Sequence, residues 1–209
     1  MEKRLTDLTV REFVELTKSN APAPGGGSAA ALLGAVGTGL FMMTANLTAG
    51  RKKFADKEEL MQKVLSDGEP ILSAMVEGID RDTDAFNEVM AALALPKTTD
   101  EEKAQRKDSL KRATKAATDV PFSLLKNCQG AVSVLEQLAG NINPNCVSDL
   151  GVAAISIKTA AQGAWLNVLI NISGLDEAEA AMYRSEGKAI LSDVITRADK
   201  VYEGVVATL

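Results

Sequence analysis

Histidine is absent from all 209 residues, which removes both the commonest general base at neutral pH and the commonest zinc ligand. Any acid–base chemistry then falls to Asp, Glu, Lys, Tyr or Cys. Cysteine is scarce as well: Cys128 and Cys146 have no CxxC spacing and read as free thiols of a reducing compartment, so neither a metal site nor a disulfide framework is expected. An excess of basic charge is also lacking. The net charge is -5, which gives nucleic-acid binding little electrostatic support. The opening MEKRLTDLTVREF has no apolar core of the kind a signal peptide needs, and the cytoplasm is the expected location. No strand-like alternation and no repeat of fixed period occurs. With 24% charged and 46% apolar residues, the chain has the composition of a globular protein, long enough for one sizeable core and read as a single domain.

What is present is organised around the stretch from Pro22 to Phe54. Pro22, Pro24 and three glycines, Gly25, Gly26 and Gly27, lead through Ser28 into a run from Ala29 to Gly50 without a charged residue. Gly50 can adopt the left-handed conformation that closes a helix, and Arg51, Lys52 and Lys53 then place positive charge at the helix C-terminus. The stretch reads as a glycine turn feeding a long, wholly buried helix. Two readings of the turn stay open: a tight bend capped by Ser28, or a nest of amides that binds an anionic or carbonyl group of a ligand. The Gly-Lys-Ser/Thr of a P-loop is missing, which argues against nucleotide binding. The uncharged run is long enough to span a bilayer, but it is built on Ala and Gly and carries Thr38, Thr44, Asn46 and Thr48. A central helix of a soluble bundle fits it better.

Capping-box spacing at Thr9 and Glu12 predicts a first helix over 10–19 with Phe13, Val14 and Leu16 turned inward. A helical pattern over 57–95 is expected to kink or split at Pro70. Thr99 and Glu102 open a charged helix that runs past Pro121 to Gly140, and GNINPN, 140–145, is a turn. Ser148 is expected to cap a second largely uncharged helix reaching about Ser173, and Asp176 and Glu179 start the last one. The fold class is therefore all-α: an antiparallel bundle of about six helices, some Pro-kinked, around a buried central helix. Two long uncharged helices supply more apolar surface than one such core readily covers, so a homodimer is expected.

Leu72, Met75, Ile79, Asp82, Phe86, Val89 and Leu93 recur at steps of three and four on one helix face, and Asp82 is the polar member of that stripe. A carboxylate there needs a cation, a hydrogen-bond donor or a ligand; it is either a satisfied residue that fixes register or a catalytic group. In the helix after Ser148, the residues Asp149, Ala153, Ser156, Ala160, Gly163 and Asn167 share one small, partly polar side. That seam suits either tight helix packing or the wall of a polar cavity. Trp165, the single tryptophan, reads as core or interface.

Taken in order, PAPGGGSAAA (22–31), LTAGRKKF (47–54), DRDTDAF (80–86), LPKTTDEEKAQR (95–106), SDLGVAA (148–154) and GAWLNVLIN (163–171) resemble one known family. It is the cyclodeaminase domain of formiminotransferase-cyclodeaminase, with its stand-alone bacterial relatives, the methenyltetrahydrofolate cyclohydrolases. The resemblance implies an all-helical homodimer acting on a one-carbon unit of tetrahydrofolate, either 5-formiminotetrahydrofolate with loss of ammonia or 5,10-methenyltetrahydrofolate with addition of water. Asp82, Asp149 and Lys97 fall on motif positions expected to be catalytic. Gly25, Gly26, Gly27, Ser28, Arg51, Lys52, Lys53, Asn145 and Asn167 are the candidates for substrate contacts. Both reactions pass through a tetrahedral carbon between nitrogens and need one group to take a proton and another to give one, with no metal and no redox cofactor. A small-molecule folate is the implied partner, with neither nucleic acid nor membrane. A folate-binding or interaction bundle without catalysis is the alternative of a different class.

Overall fold

The computed structural model describes residues 3–209. Its α-helices are α1 (Val10–Thr17), α2 (Gly26–Asn46), α3 (Glu58–Ala94), α4 (Asp100–Leu135), α5 (Val147–Asn171) and α6 (Glu177–Val206), with no strand among the described residues. Both capping boxes form. The Thr9 hydroxyl accepts from the Glu12 amide at 3.2 Å while the Glu12 carboxylate accepts from the Thr9 amide at 2.6 Å. Thr99 and Glu102 repeat the exchange at 3.2 and 3.0 Å at the start of α4. These two boxes fix where α1 and α4 begin, as the sequence predicts.

α2, α3, α4 and α5 pack in a ring, each touching the next and α5 returning to α2, while α6 lies against α4 and α5. The α2–α5 seam is antiparallel and tight. A Cβ added to Gly163 would lie 2.9 Å from the Ala30 Cβ, and one added to Gly37 would meet Ile157 and Ser156 at 3.0 Å and the Ala153 carbonyl at 3.1 Å. The small side of α5 is thus the packing surface for α2, which decides between the two readings of Ala153, Ser156, Ala160 and Gly163 in favour of close helix approach. Trp165 packs against α6 at Gly187, where a Cβ would stand 2.3 Å from the indole.

Several expectations are corrected. α3 is not split at Pro70 but continues through it, while α4 runs past Pro121 as expected. Met61, Val64, Gly68, Met75 and Ile79 are buried on both sides of Pro70, and this packing holds the helix together across the missing amide. Val14 is 57% exposed, so only Phe13 of α1 is buried. α5 starts at Val147 without a side-chain cap from Ser148. α2 ends at Asn46, before Gly50, whose φ of +70° closes the following turn instead. Nor is α2 wholly buried. Leu33, Val36, Met43 and the adjoining Leu47 remain exposed along one face, and Val152, Ile155 and Leu166 do so on α5. α2 is long and apolar enough to cross a membrane, yet its other face is packed into the ring.

Candidate functional site

Asp82 projects from the middle of α3 onto the N-terminus of α2. Its Oδ2 accepts from the Ser28 amide at 2.9 Å and from the Ser28 hydroxyl at 3.2 Å, and that hydroxyl also lies 2.8 Å from the Ile79 carbonyl. The glycine turn is therefore an anion-binding helix start whose anion comes from the chain itself. The cap of α2 is Gly25, not Ser28, which sits inside the first turn. Gly27 is needed for clearance: a Cβ there would be 2.0 Å from Asp82 Oδ1. Burial pushes the Asp82 carboxyl above its usual 3.8, against the lowering effect of the two Ser28 hydrogen bonds. Protonation thus favours the native state, a contribution complete below about 3.8 and lost as pH rises through the higher folded value.

Among the described residues Oδ1 of Asp82 accepts no hydrogen bond. Asp82 lines a narrow crevice with Gly27, Arg81, Val120, Ser123 and Asn127, whose volume of about 20 Å³ holds little more than a water molecule. Asn167 flanks the same end of α2: its Nδ2 donates to the Gly163 carbonyl at 2.9 Å and would lie 3.4 Å from a Cβ on Gly26. Gly25, Gly26, Gly27, Ser28, Asp82 and Asn167 thus come together, as the sequence leads one to expect. Replacing Gly27 by Ala should force the carboxylate off the Ser28 amide, lowering Tm by several degrees, the scale of about 1–3 kcal/mol of overpacking, and depressing turnover. An unchanged melting curve and unchanged rate would show that Asp82 is not held there.

The remaining candidates lie elsewhere. Arg51 follows the turn after α2, and Lys52 and Lys53 begin a short 3-10 helix (Lys52–Lys57), Lys53 resting 5.6 Å from the Phe54 ring centroid. These cations stand beyond the last turn of α2, so compensation of its dipole explains them less well than the sequence suggests. The 140–146 turn reaches the same place. Asn143 donates its amide to Thr48 Oγ1 at 2.9 Å, and its own Oδ1 accepts from the Asn145 amide at 3.1 Å. Asp149 sits in the first turn of α5. The Asp149 carboxylate raises and the Arg51 guanidinium lowers the pKa of the Cys146 thiol between them, after the larger effect of burial. Arg51, Asn145 and Asp149 therefore form a second group.

The two groups occupy opposite ends of α2, whose 21 residues span about 30 Å. Lys97 joins neither. It is exposed in the α3–α4 connection, and the twelve residues from Asp82 to the end of α3 put it beyond about 18 Å of helix, so the expected influence of Lys97 on Asp82 is not realised within this chain. Sequence reasoning missed Asp80, a buried carboxylate that accepts from the Leu5 amide and the Thr6 hydroxyl, each at 2.7 Å, and pins the N-terminal segment to α3. Its only signal was a third aspartate in DRDTDAF. Both cysteines are free and buried, the Cys128 thiol pushed up to about 12, so neither is a nucleophile at neutral pH.

The structure is thus a ring of long helices with a carboxylate of α3 set against the glycine-rich start of α2. The chain belongs to the formiminotransferase-cyclodeaminase family, whose model matches residues 9–189. It is 39% identical over 198 residues to a methenyltetrahydrofolate cyclohydrolase of Methylorubrum extorquens, covering 94% of this chain and 95% of that one. To the formimidoyltransferase-cyclodeaminase of Rattus norvegicus it is 32% identical, over 94% of this chain but only 37% of the longer rat protein. The structure superposes on a formiminotetrahydrofolate cyclodeaminase of Thermotoga maritima with a TM-score of 0.78 and 27% identity, over 97% of this chain and 96% of that one.

Proposed function

We propose that the protein is a folate one-carbon enzyme, a methenyltetrahydrofolate cyclohydrolase or formiminotetrahydrofolate cyclodeaminase, in which Asp82 transfers the proton. The observation that carries this reading is the Asp82 carboxylate itself, held by one oxygen on Ser28 with the other oxygen open and its pKa raised by burial. In the cyclohydrolase reaction water adds to the methenyl carbon, and Asp82 takes the water's proton. In the cyclodeaminase reaction N10 attacks the formimino carbon, and the same carboxylate takes the N10 proton. In both, a proton must then reach the departing nitrogen, and Asp149 is the second carboxylate available for it. The negative charge of either group also favours the cationic amidinium portion of the substrate. No metal and no redox cofactor is needed.

The crevice at Asp82 is far too small for a folate, and its partner group stands a helix length away, so the working site is built from two copies of the chain. The outward faces of α2 and α5 supply the surface: Leu33, Val36 and Met43 beside Val152, Ile155 and Leu166, uncovered on neighbouring helices. A two-fold axis across the middle of α2 reverses its direction, and so lays the Asp82 end of one subunit against the Arg51–Asp149 end of the other. The carboxylate end then meets the cationic end, which fixes the orientation. Purified protein offered each substrate in EDTA should consume methenyltetrahydrofolate, followed by absorbance, or release ammonia from the formimino compound. Tight folate binding without turnover of either would replace this reading by that of a binding module.

A further inference from the structure

A far larger cavity than the crevice at Asp82 lies elsewhere in the molecule. It measures about 920 Å³ and lies between the C-terminal turns of α6, the first turns of α5 and residues 136–144. That is the size of a small-molecule site, which typically spans about 300–1,000 Å³. Its floor is apolar, made chiefly by Ile142, Val147, Leu150, Val201 and Val205. The Arg197 guanidinium reaches it already neutralised, donating to Glu136 at 2.9 and 2.6 Å and to Asp193 at 3.2 Å. Lys200 differs. It lies at the rim, exposed, with no ion pair or hydrogen bond from its ammonium among the described residues. Lys200 acts on Glu136 only at longer range, and the charged side chains of the lining, Arg197 and Lys200 against Glu136, leave one net positive charge above an apolar floor, the chemistry of a site for an amphiphilic anion.

We propose that this cavity is a second ligand site, for a small organic anion with an apolar body, a carboxylate or sulfonate whose charged head meets Lys200 and whose body lies along Val147, Val201 and Val205. Asp82, Ser28, Arg51 and Asp149 do not line it. α6 packs on α4 and α5, so the α6 wall of the cavity is no part of the outward face of α2. One wall is the turn that carries Asn143 and Asn145, and through the Asn143–Thr48 hydrogen bond it is continuous with the end of α2. Gly204 stands in the lining with nothing within 4 Å of the position a Cβ would take. A side chain can therefore start at this lining position without a clash at its Cβ, and any such residue improves helix propensity over glycine.

The test uses 1-anilinonaphthalene-8-sulfonate on the intact protein, with decanoate and decyltrimethylammonium as competitors. Saturable fluorescence enhancement is expected, displaced by decanoate and not by the cation. Gly204→Phe should abolish it while keeping the circular dichroism spectrum and the basal folate turnover. Lys200→Glu, on the surface and harmless to the fold, should weaken the probe by about 3-fold to 10-fold. Probe binding unchanged in both variants, or equal displacement by the cationic competitor, overturns the proposal. So does dissociation of the Gly204→Phe protein to monomers in light scattering, which would make the cavity a contact between copies of the chain. Because the readout is probe binding, absence of folate turnover would leave this result standing and fall on the catalytic reading alone.

Discussion

Asp82→Asn lowers kcat by about 100-fold to 10,000-fold, the usual loss when a general acid or base is removed, and leaves the melting temperature and the folate affinity close to those of the parent protein. The fold is expected to survive because Asn keeps an acceptor for the Ser28 amide and sheds a charge whose burial is costly, as the raised carboxyl pKa shows. Turnover is expected to fail because the amide can no longer accept a proton through the open oxygen. Circular dichroism melts together with steady-state kinetics separate the two. Near-normal kcat with a large drop in Tm would make Asp82 a register residue of the α2–α3 contact, and would move the proton to Asp149.

Two inactive proteins recover activity when they share a dimer. If Asp82 of one subunit works with Asp149 of the other, a heterodimer of Asp82→Asn and Asp149→Asn carries both lesions in one site and none in the other. Random pairing of equal amounts then restores about a quarter of the parent activity, since half the dimers are mixed and each of these has one intact site. Co-expression with two affinity tags isolates the mixed dimers, and the doubly purified fraction should then show about half the parent activity. No recovery in the mixed dimers would place both carboxylates in the site of a single subunit. Val36→Asp, at a position half exposed in the isolated chain, should by contrast yield inactive monomers by light scattering.

Much of this molecule was legible in its sequence because the signals were local. The capping boxes at Thr9 and Thr99, the lone polar member of the α3 stripe and the charge-free composition of α2 each report on a few turns of helix. The glycine turn was read as a bend capped by Ser28 or as a nest for a group of a ligand; Gly25 is the cap instead, and the Ser28 amide is taken by a carboxylate 54 positions away that no local pattern connects to it. Distance defeated the reading in the same way at Lys97, which lies close to Asp82 in sequence order but beyond the end of the same helix. The inward turn expected of Val14 and the possible split at Pro70 failed for a related reason: which side of α1 finds a neighbour, and whether α3 continues past a proline, depend on what packs alongside. Asp80 was invisible because its partners, Leu5 and Thr6, have no marker for the bond they make.

The α2–α5 seam has a metric consequence. Gly37 and Gly163 bring the two helices so close that backbone and short side chains set their spacing, leaving no long, adaptable side chains to absorb a change. Such a seam behaves as a calibrated ruler, with Asp82 near one end and Asp149 near the other. A methyl group inserted at its centre, at Gly37, would alter the separation of those ends. In a two-fold assembly both reaction centres would go out of alignment together, though neither contains the altered atom.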